Sequence, residues 1–569
     1  MVQQPQSLAQ GATDVPLIEA TIGDFFDAMV ARQPERDALV SRHEGLRLRY
    51  RELQAASNQL ASALLKSGLQ PGERVGIWSH NNAAWVLMQI ATAKAGLILV
   101  NINPAYRTAE VEYALNKVGC KTLVTMARFK TSDYLGMLRE LAPELAAAKP
   151  GELKSARLPH LKRVVWIDSP PGQGADEPGL QRFSELLGSG DANDPRVGQV
   201  QKSLDANDPI NIQFTSGTTG FPKGATLTHR NILNNGFFIG ECMKLTPEDR
   251  LCIPVPLYHC FGMVLGNLAC ITHGSAIVYP NDGFDPLTVL ETVQAEKCTG
   301  LHGVPTMFIA ELDHPRFAEF DLSTLRTGIM AGSPCPIEVM KRVVDKMHLS
   351  EITIAYGMTE TSPVSCQSST DTPLAKRVST VGTVQPHLEV KIIDPETGAV
   401  VPRGERGELC TRGYSVMHGY WEDEAKTREA IDAERWMHTG DLATMDEEGY
   451  VNIVGRIKDM VIRGGENIYP REIEEFLYRH PKVQDVQVVG LPDKKYGEEL
   501  CAWVIAKPGQ SPTEDELREF CKGQIAHYKV PKYIRFVKEF PMTVTGKIQK
   551  FKIRDAMKDE LGLNEEKTA

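Results

Sequence analysis

Residues 212–224 read IQFTSGTTGFPKG, and this stretch decides the fold. It begins as an apolar run typical of a buried strand and continues into a segment rich in Thr, Ser and Gly. Glycines let a backbone approach a ligand closely, and successive N–H groups in such a loop form a concave anion site. Hydroxyls and a lysine ammonium add donors for phosphate oxygens. We therefore predict a phosphate-binding loop made of Thr215, Ser216, Gly217, Thr218, Thr219, Gly220, Phe221, Pro222 and Lys223.

Two other interpretations of residues 212–224, a surface linker and a P-loop NTPase, fit the sequence less well. A surface linker of small polar residues is the structural alternative, but a linker rarely places hydroxyls, glycines and one lysine so densely between apolar runs. The stretch contains no Gly-Lys-Ser/Thr, so a P-loop NTPase would lack its defining element.

Outward from this loop, the first 125 or so residues alternate helix and strand patterns. The patterns predict helices over Tyr50–Lys66, Ala83–Ala95 and 109–118, and strands over 75–78, 97–100 and 121–125. Such alternation predicts a doubly wound parallel sheet. Residues 143–208 are rich in Pro and Gly and predict an exposed connection interrupted by a strand over 163–168. A second apolar body is predicted over 210–347, then a small β unit, and a compact α+β module in the last 110 residues.

Composition narrows the class of protein. Of 569 residues, 42% are hydrophobic and 24% charged, which is enough apolar material for a large core. The 63 basic and 73 acidic residues give a net charge of −10, which argues against nucleic acid as a partner. The eleven cysteines show no CxxC pair and no Cys/His metal spacing, which is typical of reduced core thiols.

Targeting segments are the next feature. The first 15 residues contain neither a basic residue nor an apolar run, unlike a secretory or transit peptide. Gln89 and Lys94 interrupt the most apolar stretch, residues 83–100, so it is a poor candidate for a membrane span. We expect a cytoplasmic protein without a transmembrane segment.

The segment TSGTTGFPKG resembles the phosphate loop of the acyl-adenylate-forming superfamily, which includes acyl-CoA synthetases, adenylation domains and luciferases. The resemblance recurs in order along nearly the whole chain: YGMTE at 356–360, TGD at 439–441, GRIKDMVIRGGENIYPREIE at 455–474 and PMTVTGKIQK at 541–550. The context PLYHCFG at 256–262 is most similar to fatty acyl-CoA synthetases of the medium-chain type. Two departures are MAGSPCP at 330–336, where many members have a Gly-Ala-Pro-Leu type run, and Gln549-Lys550, where Leu-Arg is common.

The resemblance implies an α/β adenylate-forming fold. Residues 1–454 would form a large N-terminal AMP-binding domain with two doubly wound α/β subdomains, a small β subdomain, and the ATP and acyl sites. Residues 455–569 would form a mobile α+β C-terminal domain with a hinge at Lys458. ATP would bind between the large units, near the carboxyl ends of the strands.

The resemblance also implies a reaction in two steps. A carboxylate attacks the α-phosphate of ATP to give acyl-adenylate and pyrophosphate, and a thiol, usually that of coenzyme A, then displaces AMP. The first step joins two anions, so catalysis should consist mainly of positioning and charge neutralisation. ATP, Mg²⁺ and coenzyme A are therefore the expected cofactors and co-substrates.

The site residues follow from the same resemblance. The catalytic set would be Lys547, which bridges the substrate carboxylate and the α-phosphate, Glu360, which binds Mg²⁺, and His259, which gates the site or faces the carboxylate. The phosphate loop would hold the β- and γ-phosphates. The remaining expected contacts are Thr359 to the α-phosphate, Tyr356, Gly332 and Ser333 to the adenine, Asp441 and Arg456 to the ribose, and Gly464 and Gly465 along the path of the CoA arm.

Without the resemblance, these residues have plainer explanations. Asp441 could cap a turn, Lys547 could be a solvated loop charge, and His259 could be a buried, hydrogen-bonded core histidine.

The acyl end and the acceptor complete the prediction. Gly236, His259 and Gly262 are expected to line a pocket with few polar groups, which suits a linear hydrocarbon tail of about C6 to C12. The partners would be small molecules, namely a fatty acid, ATP and CoA, and the oligomeric state stays open, a homodimer included. Two rival functions remain: a ligase that loads an acyl-carrier protein, and a catalytically inactive sensor of acyl groups or nucleotides.

Overall fold

The computed structural model describes residues 5–168, 172, 177–215, 222–333, 335–463, 466–493, 495–522, 524–543 and 546–563. The described chain builds four large sheets, each covered by helices or by another sheet, and a two-stranded hairpin of Arg128–Phe129 and Ser132–Asp133.

The first sheet has eight strands, of which the first six in spatial order are parallel and the last two antiparallel. The strands in spatial order are Gln181–Arg182, Arg163–Trp166, Thr122–Thr125, Arg74–Trp78, Ile98–Asn101, Pro209–Thr215, Lys223–Thr228 and Gly419–Tyr420. The helices of this unit are Tyr50–Lys66, Ala83–Ala95, Thr108–Lys117, Tyr134–Leu141, Phe183–Gly188 and Pro195–Gln201.

The second sheet has nine strands with a parallel centre and antiparallel edges. In spatial order they are Thr383–Val384, Val364–Gln367, Glu351–Gly357, Thr327–Met330, Gly300–Gly303, Arg250–Cys252, Ala276–Tyr279, Asp37–Ser41 and Leu46–Arg49. Its helices are Ile22–Arg32, His229–Cys242, Ala269–His273, Pro286–Glu296, Pro305–Leu312, Ile337–Lys346 and Leu374–Ser379, with a π-helix at Phe261–Leu268.

The third and fourth sheets are smaller. The third sheet is antiparallel and contains Leu8–Gln10, Leu388–Ile393, Gly407–Gly413, Met437–Met445 and Val451–Arg456. The helix Glu424–Ala430 lies between its third and fourth strands in the chain. The C-terminal sheet contains Glu466–Ile468, Val461–Arg463, Gly497–Ala506, Val483–Asp493 and Tyr533–Phe536, with helices Pro470–Leu477, Glu514–Cys521 and Lys550–Leu561. Short 3-10 turns lie at Pro143–Ala146, Phe317–Glu319, Thr359–Thr361, Ile457–Asp459 and His527–Lys529.

This architecture confirms the predicted fold class of two doubly wound α/β units, a small β unit and a C-terminal α+β unit. Local patterns also located several elements well, because Tyr50–Lys66 and Ala83–Ala95 form helices with the predicted bounds. In the C-terminal unit, Pro470 begins a helix and Thr513 forms a capping box with Glu516, both of which are typical of helix N-termini.

The two α/β units interlock, which the sequence order did not reveal. The strand Asp37–Ser41 pairs with Ala276–Tyr279, so the N-terminal hairpin completes the second sheet. The strand Pro209–Thr215 pairs with Ile98–Asn101 and belongs to the first sheet. The prediction that a second body begins at residue 210 is therefore wrong, because Pro209–Thr215 and Lys223–Thr228 are strands of the first sheet.

The expectation that residues 143–208 form an exposed connection is wrong in part: the predicted strand is present, over Arg163–Trp166, but other parts of the segment are packed into the core. Three leucines of this segment, Leu153, Leu158 and Leu161, are buried in the core beside the first sheet. The segment also contains the helices Phe183–Gly188 and Pro195–Gln201, the second of which begins at a proline and is capped by Asp194. Pro and Gly in this segment lie in short turns between packed elements. Composition alone does not distinguish such turns from one long loop.

Two further findings concern thiols and membrane spans. All eleven cysteines are free thiols, and all but Cys242 are buried. Within the described ranges, no helix is long and apolar enough to cross a bilayer.

Candidate active site

Three neighbouring parallel strands of the second sheet end at the same edge, where a ligand site is expected in a doubly wound fold. Val304 follows the first of them, Gly332 follows the second, and Tyr356 lies at the end of the third. Gly332 has φ +88°, and a Cβ added there would lie 3.1 Å from Val304 Cγ1. The loop at Gly332 therefore needs a glycine both for its left-handed backbone and for its approach to Val304.

Asp441 is held in place from two sides at this edge. It faces Arg456 across the strands Met437–Met445 and Val451–Arg456, and Arg456 Nε lies 2.8 Å from Asp441 Oδ1. The Tyr356 hydroxyl donates to the other oxygen, Oδ2, at 2.7 Å. Burial, and next the charge of Asp441, raise the pKa of the Tyr356 phenol well above its ordinary value, so it stays a donor. A buried carboxylate fixed in this way is well placed to accept a diol.

Glu360 is the centre of a second group of contacts. It lies in the turn Thr359–Thr361 with 5% of its surface exposed. The hydroxyls of Thr215 and Tyr420 donate to the same oxygen, Oε1, at 3.0 and 2.9 Å. Lys223 Nζ in turn donates to the Tyr420 hydroxyl at 3.0 Å. The structure thus brings together both ends of the predicted phosphate loop, Thr215 and Lys223, with the predicted metal ligand.

His259 begins the turn that leads into the π-helix Phe261–Leu268. Its Nδ1 accepts the backbone N–H of Phe261 at 3.2 Å, so the neutral ring carries its proton on Nε2. Burial, and second the positive charge of Lys547, lower the pKa of His259 to about 4. At neutral pH His259 is therefore an uncharged donor, which can hydrogen-bond to a carboxylate or phosphate oxygen but carries no positive charge.

Lys547 reaches this edge from the C-terminal unit. The preceding residue, Gly546, has φ +75°, and a Cβ added there would lie only 2.9 Å from Val304 Cγ2. Protein atoms around the Lys547 ammonium, and next the charge of Arg456, lower its pKa to about 8, although solvent still reaches the side chain. The charges of Asp441 and Glu360 act on it in the opposite direction. The Lys547 ammonium is therefore within electrostatic reach of both the Asp441 and the Glu360 carboxylates.

The predicted acyl-pocket glycines lie at tight backbone contacts. A Cβ added to Gly236, on helix His229–Cys242, would lie 2.8 Å from Leu268 Cβ and 3.2 Å from the Leu268 backbone carbon. A Cβ at Gly262 would lie 2.6 Å from the carbonyl oxygen of Pro256. Both glycines thus allow the π-helix to pack closely against its neighbours. Their contact with an acyl chain stays a prediction.

The other predicted residues divide into two groups. Thr359 is buried beside Glu360, Pro222 and Ser333 are half-buried, and Lys458 is exposed in the turn Ile457–Asp459. The remaining predicted residues lie outside the described part of the chain; they are Ser216, Gly217, Thr218, Thr219, Gly220, Phe221, Gly464 and Gly465.

Sequence reasoning missed Tyr420 and Val304. Tyr420 belongs to a two-residue strand at the sheet edge, where it faces Ala225, and only this pairing brings its hydroxyl to Glu360. Val304 would contact a Cβ at either Gly332 or Gly546, so it lies between the loop of Gly332 and the loop of Lys547. Neither residue stands out in the sequence, because tyrosine after glycine and valine after a strand are common.

A cleft of about 390 Å³ opens beside Tyr258, next to His259. The His80 ring stacks on Phe129 with centroids 3.3 Å apart on one side, and Met307 and Phe284 line another. The cations Arg107 and Lys130 also line it. The cleft thus combines apolar walls with positive charge, which suits a ligand that has both apolar and anionic parts.

Two family models match the chain. The AMP-binding enzyme model matches residues 26–421, and the AMP-binding enzyme C-terminal domain model matches residues 472–547.

Individual relatives agree with these matches. YngI of Bacillus subtilis, named as an acyl-CoA synthetase, is 51% identical over 542 residues, which cover 95% of this chain and 97% of that protein. The mitochondrial medium-chain acyl-CoA ligase ACSF2 of Bos taurus is 47% identical over 563 residues, 98% of this chain and 91% of that protein. A crystal structure of the anthranilate CoA ligase AuaEII with anthranoyl-AMP superposes with a TM-score of 0.84 at 27% identity, covering 97% of this chain and 99% of that chain.

Proposed function

The chain belongs to the AMP-binding enzyme family and is an acyl-CoA ligase, and from this premise we propose that it activates a linear fatty acid of about C6 to C12. ATP and CoA are its other substrates. The observation that supports the proposal is geometric: Gly546, just before Lys547, packs against Val304 at the edge of the second sheet where Tyr356 hydrogen-bonds to Asp441.

In the first step, a carboxylate oxygen of the fatty acid forms a bond to the α-phosphorus while the bond from that phosphorus to pyrophosphate breaks. Asp441, fixed by Arg456 and Tyr356, accepts the ribose hydroxyls. Lys547 neutralises the charge that builds up between the carboxylate and the α-phosphate. His259 donates its Nε2 proton in a hydrogen bond to an oxygen of this same group. No general base is needed, because the nucleophile is already an anion.

The chemistry around Glu360 fits a Mg²⁺ ion. The possible metal ligands described here are all oxygens: the Glu360 carboxylate and the hydroxyls of Thr215 and Tyr420. Mg²⁺ prefers such hard ligands. Glu360 would hold the ion, which when bound with ATP neutralises phosphate charge. Lys223, anchored on Tyr420, would bind a phosphate oxygen of the pyrophosphate end.

In the second step, the sulfur of the acceptor thiol bonds to the acyl carbon, the bond to AMP breaks, and the thiol proton leaves to solvent. The cleft lined by Tyr258 would offer one route for the thiol, because Tyr258 precedes His259 in the chain and Arg107 and Lys130 also line the cleft, together with Asp282. Gly464 and Gly465 would line the path of the CoA arm from the other side. An acyl-carrier protein is the rival acceptor, because it presents the same phosphopantetheine arm.

The chain length is inferred from a relative's name and from the apolar surroundings of the π-helix. The Bos taurus relative is named as a medium-chain ligase. In this chain the π-helix Phe261–Leu268 and its neighbours are almost wholly apolar and buried, so a pocket opening among them would take a hydrocarbon tail. Each additional buried CH₂ would add about 0.8 kcal/mol of binding until the pocket ends.

The deciding experiment measures pyrophosphate release from ATP and Mg²⁺ with saturated acids from about C4 to C16. We expect release with a maximum between about C6 and C12 and, on addition of CoA, formation of acyl-CoA. A maximum elsewhere would refute the chain length. Better transfer to an acyl-carrier protein than to CoA would favour the rival acceptor, and no release with any acid would favour the inactive sensor.

Three further predictions belong to the same proposal. The division of the chain at residues 454 and 455 is one, a cytoplasmic location is the second, and a homodimer is the third. The Bos taurus relative is named as mitochondrial, so fractionation of the source cells is the measurement for location.

A further inference from the structure

Glu408, Cys410 and His438 lie together on one face of the small antiparallel sheet. Cys410 and His438 are direct partners across the strands Gly407–Gly413 and Met437–Met445, and such partners project to the same face. Glu408 lies two positions before Cys410 and therefore projects to that face too. His438 lies 28 residues after Cys410 and 30 residues after Glu408 in the sequence, so no local motif indicates that the three side chains meet.

The distances among these groups are those of metal ligands. Cys410 Sγ lies 3.6 Å from His438 Nδ1, and His438 Nδ1 lies 3.0 Å from Glu408 Oε2. One ligand atom from each residue falls within 4.8 Å of the others. A tetrahedral Zn²⁺ holds a sulfur and a nitrogen about 3.6 Å apart, and a nitrogen and an oxygen about 3.3 Å apart. The cluster would have to open by only a few tenths of an ångström between His438 and Glu408.

The surroundings also resemble those of a metal site. The second ring nitrogen of His438, Nε2, lies 3.6 Å from Asp432 Oδ2, so a carboxylate lies behind the ring, close to the position that such a group has in metal sites. The His438 side chain is 32% exposed, which leaves an open side for an ion and a water ligand, whereas Cys410 is fully buried. No other group of three such side chains meets the same distance criterion in the described part of the chain.

We propose that Glu408, Cys410 and His438 form a binding site for a Zn²⁺-class ion, with a water molecule in the fourth position. Thiolate, imidazole and carboxylate together favour zinc over Mg²⁺ or Ca²⁺, which prefer oxygen ligands alone. Binding would release the thiol proton of Cys410 and the proton between His438 and Glu408. The site is distinct from Glu360 and lies on a different sheet.

The site adjoins the backbone bulge that carries Asp441. Glu408 faces Leu442, whereas Cys410 faces His438, so residues 439–441 form a bulge that presents Asp441. The other oxygen of Glu408, Oε1, accepts the N–H of Gly440 at 3.0 Å. An ion on Glu408 Oε2 would therefore share its carboxylate with the turn that precedes the ribose-binding residue.

The test uses the full-length, reduced protein and two probes. Equilibrium dialysis against Zn²⁺ should give one ion per chain. Co²⁺ should give a thiolate-to-metal absorption band that Zn²⁺ abolishes. Cys410→Ser and His438→Gln should each weaken Zn²⁺ binding at least about tenfold, and Asp432→Asn should weaken it less. Cys242→Ser, which changes the one cysteine that is not buried, is the control and should leave binding unchanged.

Circular dichroism and thermal unfolding establish that each variant is folded, and Cys410→Ala repeats the test if the serine variant is not. The proposal is overturned if the wild-type protein retains no more Zn²⁺ than Cys410→Ser, or if the Co²⁺ band persists in that variant. In either case the three side chains form only a hydrogen-bonded network that supports the Gly440 turn.

Discussion

Lys547 lies in the C-terminal unit and is proposed to act on a site whose other described residues belong to the rest of the chain. Lys547→Ala should lower adenylate formation at least about a hundredfold, because the transition state loses a positive charge. Conversion of supplied acyl-adenylate to acyl-CoA should stay nearly intact, because that step builds up no charge between the carboxylate and the α-phosphate. Pyrophosphate release and thioester formation, measured separately, check this; an equal fall in both would contradict the assigned role.

The lowered pKa of Lys547 adds a pH dependence to the same prediction. A lysine with a pKa near 8 is charged below that pH and loses its charge as the pH rises through it. Adenylate formation should therefore decline above about pH 8. The Lys547→Arg variant, whose side chain stays charged, should keep its residual rate over the same range.

Tyr420 is expected to position both Lys223 and Glu360 through one hydroxyl. Tyr420→Phe keeps the ring, over which the Lys223 ammonium lies 4.2 Å from the centroid, but removes the hydroxyl. The apparent KM for Mg·ATP should rise about tenfold, or about 1.4 kcal/mol, with a smaller fall in kcat. Tyr50→Phe is the control, because among the described residues the buried Tyr50 hydroxyl bonds only to backbone carbonyls of Cys270 and Ser275. A Tyr420→Phe enzyme with unchanged Mg·ATP dependence would refute the positioning role.

At the scale of elements, the turn Ile457–Asp459 joins two sheets. The strand Val451–Arg456 ends in the small β sheet, and Val461–Arg463 begins the C-terminal sheet. Arg554, on the last helix, approaches Asp459 at 3.9 Å, which is a weak restraint on the turn. Because Lys547 and the predicted CoA path at residues 464–465 belong to the same unit, both cannot face the site from one side at once. We therefore expect this unit to rotate about Lys458 between the two steps.

Proline at position 458 tests this rotation. Lys458→Pro fixes φ near −65° and removes an N–H, so it should freeze the turn. The structure already has Lys547 at the site, so adenylation should persist. Thioester formation should fall at least about tenfold, or about 1.4 kcal/mol in the barrier. Lys458→Ala is the matched control and should leave both half-reactions close to the wild type. Normal thioester formation by the folded proline variant would exclude Lys458 as the hinge.

At the scale of the whole molecule, one buried carboxyl makes stability depend on pH. Glu311, on helix Pro305–Leu312, is 1% exposed, and neither of its oxygens has a hydrogen-bond partner among the described residues. Burial raises its pKa well above the ordinary value of 4.5. The folded state therefore favours the protonated form, and stability is lost as the pH rises from about 4.5 through the raised pKa.

Glu311→Gln should remove this dependence. The variant should unfold at nearly the wild-type temperature close to pH 4.5 and at a higher temperature near pH 8, where the gain should be about 1–3 kcal/mol. Glu338→Gln, at an exposed position on helix Ile337–Lys346, should show no such divergence. Melting temperatures that stay parallel across this pH range for Glu311→Gln and wild type would contradict the prediction.

Local sequence determined much of this protein. The alternation of patterns predicted the doubly wound units, and the motifs around Lys223, Glu360, Asp441 and Lys547 predicted residues that the fold places around one edge. These features depend on residues close together in the chain, where periodicity, capping and turn chemistry act directly. Such a motif can therefore be recognised from the sequence without knowledge of the tertiary structure.

Tertiary structure alone decided how these parts meet. Pairing between strands far apart in the chain placed the hairpin at Asp37–Ser41 in the second sheet, Tyr420 beside Glu360, and Cys410 opposite His438. It also placed Gly236 against Leu268. Strand register and helix contacts follow from how whole faces pack, and the residues involved carry no local signal of their distant partners.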